Sequence, residues 1–102
     1  MYALHITFTS TVPAGDLRET AIGFAEALRA VPGFVAKTWL HHGSHHGGFY
    51  LFADQASAEA YRDGPLVGGL RENPAFDDLE VRGWHVDEEL GAITGSIAPR
   101  AA

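Results

Sequence analysis

Four segments of this chain carry apolar side chains on both parities of an extended backbone, and that two-sidedness limits what it can fold into. Tyr2 to Thr9 alternates Tyr2, Leu4, Ile6 and Phe8 with Ala3, His5, Thr7 and Thr9, the period of two that marks a strand. Phe34 to His41 sets Phe34, Ala36, Thr38 and Leu40 against Val35, Lys37, Trp39 and His41. Gly48 to Ala53 is almost continuously apolar, as expected of a strand covered on both faces. Asp78 to Val86 alternates Leu79, Val81, Gly83 and His85 with Glu80, Arg82, Trp84 and Val86. Helices from the same chain can cover one face of such a sheet, so the other needs a further layer.

Between these runs the period lengthens. Leu17, Ala21, Phe24, Ala25 and Leu28 fall on one helical face, with Asp16 as the expected N-cap, Glu19 completing a capping box, and Pro32-Gly33 as the stop. Asp54 opens a second helix from Ala56 to about Arg62, with Ala60 and Tyr61 as core. Gly64-Pro65 breaks it. Leu66, Val67 and Leu70 predict a further short helical piece, ended by Asn73-Pro74. Gly43 to Gly47 reads as a loop, and Asp87 to Gly95 as a short amphipathic segment. The order is β-α-β-β-α-β, the split, ferredoxin-like order. The expected fold class is α+β: a four-stranded antiparallel sheet with helices on one face. A chain of 102 residues makes one domain, here residues 1–95 with an appendage, followed by a flexible tail at 96–102. Burying the second sheet face against another copy predicts a homodimer.

Composition removes several function classes. Seven Lys+Arg against 13 Asp+Glu leave a net charge of −6, which argues against nucleic-acid or anionic-membrane surfaces. No apolar run reaches the roughly 18 residues of a membrane span, and no basic-then-apolar leader opens the sequence, so a cytoplasmic place is expected. The absence of cysteine excludes disulfides, thiol nucleophiles and thiolate metal sites.

Several residues together carry a resemblance. They are Leu4-His5, Pro32-Gly33-Phe34 with Lys37 and Trp39, Gly47-Gly48 with Tyr50-Leu51-Phe52, and Asp54 with Ser57-Ala58 and Ala60-Tyr61. From about Tyr2 to Thr94 the chain resembles the YdhR family of the dimeric α+β barrel superfamily, whose members carry a monooxygenase label. The resemblance implies a homodimer of sheet-to-sheet subunits and, in each, a pocket between sheet and helices. Superfamily relatives oxidise aromatic polyketides with molecular oxygen and no cofactor; others cyclise polyketides, degrade haem or isomerise lactones. Quinone-forming members are expected to carry a polar residue within the third strand and a Trp near its end. Phe49 to Asp54 holds neither a Trp nor an Asn, so those catalytic residues are not carried over.

The remaining chemistry is read residue by residue. His5, an imidazole among apolar neighbours, is a candidate general base for a phenol or acidic C–H. Trp39 offers a flat wall and one N–H donor, and Tyr50 a hydroxyl for a substrate carbonyl. These three are the candidate catalytic set. Lys37 on a buried face would stabilise a developing phenolate or enolate, or else snorkel to an edge. With it, Phe24, Phe52, Tyr61, Trp84 and His85 form the candidate substrate-binding set. Trp84 and His85 point to opposite faces, so one is expected at the pocket and the other at the dimer interface. His41, His42, His45 and His46 have the composition of a metal-binding loop, but no acid lies among them; the expectation is a solvated hairpin and no resident metal. No flavin or haem motif is present, so no cofactor is expected. No spacing supports paired-carboxylate, G-x-S-x-G or phosphate-loop chemistry. The expected function is cofactor-independent oxygenation of a hydrophobic aromatic or polyketide-like substrate. The alternatives are a cyclase or isomerase using the same pocket without oxygen, and a non-catalytic small-molecule-binding dimer.

Overall fold

A computed structural model describes residues 1–97. The chain runs β1 (Tyr2–Ser10), α1 (Arg18–Leu28), β2 (Phe34–His42), β3 (His45–Phe52), α2 (Gln55–Arg62), α3 (Pro65–Glu72), β4 (Phe76–His85) and α4 (Glu88–Thr94). The strands form one antiparallel sheet in the order β2-β3-β1-β4. This is the ferredoxin-like arrangement, with β1 and β3 at its centre.

Register sorts the side chains by face. Leu4 lies opposite Tyr50 and Gly83, and Ile6 opposite Gly48 and Val81. These residues share the face that the helices cover. Leu4, Ile6, Tyr50 and Phe52 there join Leu28, Ala58, Tyr61 and Val67 in the buried core. A β-bulge between Phe34 and Ala36 corrects the simple alternation of β2. Phe34 pairs with Phe52 and Lys37 with Tyr50, so four residues of β2 stand against three of β3. The extra residue puts Phe34 on the same face as Lys37 and Trp39, which the bare period of two had set apart.

The helices differ in how they begin. Asp54 caps α2: its Oδ1 accepts the Ser57 N–H at 2.7 Å. Asp87 does the same for α4, accepting the Leu90 N–H at 2.9 Å. Asp16 does not cap α1. The helix starts after Leu17, with no side-chain cap, because Asp16 sits in a turn whose N–H donates to Pro13 O. Gly33 adopts φ +77° between α1 and β2, with the Ser57 side chain packed where a Cβ would project; only glycine fits both demands.

The His-rich stretch is strand rather than loop. The turn is only Gly43-Ser44, and His41 pairs with His46 and His42 with His45. Ser96 and Ile97, expected in the tail, hydrogen-bond through their N–H groups to Gly91 O. The rest of that tail, 98–102, lies outside the described residues. No helix among the described residues is long and apolar enough to cross a membrane.

Candidate active site

The apolar stripe of α1 faces the sheet, but only Leu28, at its last turn, is buried. Leu17, Ala21, Phe24 and Ala25 are half-covered. The helix therefore touches the sheet at its C-terminal end and stands off it toward the N-terminus. The gap is a cleft of about 450 Å³, walled by Leu17, Ala21, Ile22 and Phe24 on one side. Phe8, Lys37, Trp39, His46 and Tyr50 wall the other, and Leu70 and Phe76 close one end.

Lys37 is the chemical centre of this cleft. Its Nζ lies 3.3 Å from the Trp39 ring centroid, 4.4 Å from that of Tyr50 and 5.1 Å from that of Phe24. Ring faces favour the ammonium, whereas burial with no acidic neighbour opposes it. Burial wins and takes the amine down to about 7. Among the described residues no carboxylate lines the cleft; its charged or titratable residues are Arg18, Lys37, His41, His46 and Tyr50. Burial pushes the Tyr50 hydroxyl up to about 12, so it stays a proton donor at neutral pH. Behind it lies Tyr61, with ring centroids 5.3 Å apart. The Tyr61 hydroxyl is raised further, first by burial and then by the neighbouring Tyr50. Among the described residues it meets no partner at full hydrogen-bond geometry, the Tyr50 hydroxyl being its loose polar neighbour.

The structure brings Phe24, Lys37, Trp39 and Tyr50 together and leaves the other candidates elsewhere. His5 pairs with Phe49 and Arg82 across the sheet and stacks on the Phe49 ring at 4.3 Å between centroids. It belongs to the outer face, because odd positions of β1 point away from the helices, and the sheet separates it from the cleft. Phe52 and Tyr61 are buried core and do not line the cleft. Trp84 lies on the outer face and is 53% exposed. His85 shares the inner face, edge-on to Tyr2, at the far end of β4 from Phe76, so neither member of the Trp84-His85 pair reaches the cleft. The hairpin splits the histidines, His41 and His46 inward, His42 and His45 outward. Among the described residues no group of three or more His, Asp or Glu is placed to hold a metal ion. Phe8 and Leu17 were legible as apolar residues of the right period, whereas Phe76 lies ahead of the strand expected from Asp78; their place in the cleft depends on how far α1 stands from the sheet.

The family model described as "Putative mono-oxygenase ydhR" matches residues 3–97. The chain belongs to the YdhR family. Among curated proteins none matches it. Solved structures share its fold at low identity. SnoaB from Streptomyces nogalater, a cofactor-independent oxygenase, superposes with a TM-score of 0.66 at 16% identity, over 83% of this chain and 91% of that one. A Nitrosomonas europaea protein of unknown function gives 0.64 at 24% identity, over 84% and 88%. The heme-degrader MhuD of Mycobacterium tuberculosis gives 0.53 at 19%, over 83% and 95%. At these identities the likeness concerns the fold. Within this YdhR-family chain, the cleft's own side chains have to carry the argument about chemistry.

Proposed function

We propose that this chain is a cofactor-independent monooxygenase acting on a hydrophobic aromatic or polyketide-like substrate in the cleft between α1 and the sheet. What supports this reading is a buried amine, brought down to about 7 by desolvation, set among three aromatic rings in a cleft that no carboxylate lines among the described residues. Such walls stack a flat aromatic ring, and their charge balance favours an anion. Lys37, in place of the His5 that the sequence suggested, takes the proton of a phenol or enol. The ammonium so formed stays beside the new anion, and the Tyr50 hydroxyl donates a hydrogen bond to its oxygen. The electron-rich ring carbon then reacts with oxygen. For a ring CH2 activated by such an anion, one oxygen atom becomes the new carbonyl and the other leaves as water. Closing the apolar cleft over the substrate excludes bulk water and strengthens each electrostatic step.

The assembly proposed is a homodimer through the outer sheet face. Leu40, Phe49 and Trp84 are exposed there by 39%, 46% and 53%, and a second copy offers the same apolar surface. Sedimentation of the full chain should give a dimer. Phe49→Glu, which places a charge in that patch, should give a folded monomer.

Incubation with phenols, anthrones and enolisable polyketides under labelled oxygen, with a chelator present, tests the reaction. A labelled product is expected. A product formed without gain of oxygen would reassign the cleft to a cyclase or isomerase. Saturable binding without any product would make the dimer a binding module.

A further inference from the structure

Lys37 is the one lysine of this chain. All other basic side chains apart from histidine are arginines, and arginine does not give up its proton in proteins. The fold thus places its single amine side chain inside the cleft. The strand beside it is shaped to receive it: a Cβ at Gly48 would come within 2.6 Å of Lys37 Cε, so the lysine stem occupies the space left by the missing side chain. Among the described residues, the ion pairs join Met1 to Glu88, Arg62 to Asp63 and Arg82 to Glu80, and none involves Lys37. The groups facing the amine or sharing its cleft are Tyr50 and His46 from β3, His41 from β2 and Arg18 from α1, none of them an acid. A methionine would fill the same groove without desolvating a charge, so packing alone gives no reason for an amine.

We infer that the Lys37 amine is a covalent carbonyl-binding site, condensing with an aromatic aldehyde or ketone that enters the cleft to form an imine. The lone pair of Nζ attacks the carbonyl carbon, and a proton moves from nitrogen to oxygen to give a carbinolamine. The C–O bond then breaks, water leaves, and the C=N bond forms. Amine and carbonyl become imine and water, with no oxidant or reductant consumed. Desolvated lysines in apolar pockets are activated for this chemistry. The Tyr50 hydroxyl is placed to donate to the carbonyl oxygen as negative charge gathers there. The inference goes beyond the oxygenase reading and needs no oxygen. A carbonyl in place of an acidic hydroxyl leads the same amine to attack carbon where it would otherwise accept a proton.

The test is reductive trapping on the full chain at pH 7, with 2-naphthaldehyde and, separately, benzaldehyde in the presence of cyanoborohydride, read by intact mass and peptide mapping. The α-amino group of Met1 is the internal competitor. Folded chain should gain one arylmethyl group at Lys37. The rate should exceed that at Lys37 in urea-unfolded chain by roughly 10²–10³-fold, since an amine of ordinary pKa near 10.4 is almost wholly protonated at pH 7. Lys37→Arg and Lys37→Met should label only at Met1. Labelling confined to Met1 with both aldehydes, or Lys37 labelling no faster in the folded chain than in the unfolded one, would overturn the inference. Neither outcome touches the labelled-oxygen experiment, so the two readings fail separately.

Discussion

The two ends of the inner sheet face are covered by helices of one chain, yet they are built to different ends. Under α2 and α3 the sheet is dry: Phe52, Ala58 and Val67 are fully buried, and Leu4, Ile6 and Tyr61 nearly so. Under α1 the same sheet meets its helix only around Leu28, and Trp39 remains 44% exposed. Both helices present apolar stripes. α2 is fixed at its start by Asp54 and packed by Tyr61, while α1 enters through an uncapped turn and is anchored at its last residue. Stability is therefore concentrated at one end, and the other holds the uncovered apolar area and the desolvated amine needed to bind and activate a ligand. A protein can tolerate an ionisable group in poor solvation where the rest of the core is good.

Substitutions can sharpen or break this contrast. The largest effect is expected for Lys37→Met, which should lower turnover on the substrate that labelled oxygen identifies by ~10²–10⁴-fold, with no fall in the midpoint of urea unfolding. A loss of stability comparable to that of a core variant would erase the distinction between the two ends. Phe52→Ala should do the reverse. It empties the dry end and should cost about 3–5 kcal/mol, read from the same urea titration, while any protein still folded keeps the affinity of its cleft.

The third prediction concerns pH. The folded chain holds Lys37 at about 7, below its unfolded value of 10.5. Below pH 7 both states are protonated and the penalty of burying the charge is fully present. Between pH 7 and 10 the unfolded state binds more protons, so stability should rise with pH. The raised values of Tyr50 and Tyr61 work in the opposite sense only above about pH 10, where the unfolded tyrosines ionise. Unfolding curves of the wild-type chain and Lys37→Met, compared across that window, should diverge in slope. Parallel curves would show that the amine is solvated.

The smallest effect is expected for Tyr61→Phe. Among the described residues the buried Tyr61 hydroxyl meets no partner at full hydrogen-bond geometry and has only the Tyr50 hydroxyl as a loose polar neighbour, so its removal should leave stability unchanged or raise it by up to about 1 kcal/mol. A clear loss would mean that the hydroxyl is satisfied in solution, and that the dry end is less apolar than its packing indicates.

Much of this was legible in the residues. Alternation in Tyr2–Thr9 and Asp78–Val86, the helical stripe from Leu17 to Leu28, and Asp54 before Gln55 gave the element order and the topology class. Those patterns record how a local segment divides apolar from polar, and local segments are what periodicity measures. Trp39, Tyr50, Phe24 and Lys37 were singled out for their chemistry, which does not depend on neighbours, and the fold sets all four along one cleft. His5 was singled out for the same reason and lies on the other face. A strand offers two faces to its neighbours, and the identity of a side chain does not tell which one a distant helix will cover.

By itself, then, the sequence determined a β-α-β-β-α-β chain with apolar side chains on both sheet faces, since strand and helix periods and turn residues act within a few positions of one another. Tertiary structure decided the rest. It fixed which face the helices cover, through the register of β1 against β3 and the bulge at the start of β2. It fixed how far α1 stands from the sheet, and so whether there is a cleft at all. It brought a lysine, a tryptophan, a tyrosine and a phenylalanine from three elements around one nitrogen atom. The low pKa of that amine comes from the water those neighbours exclude, a property that no residue carries until the chain is folded.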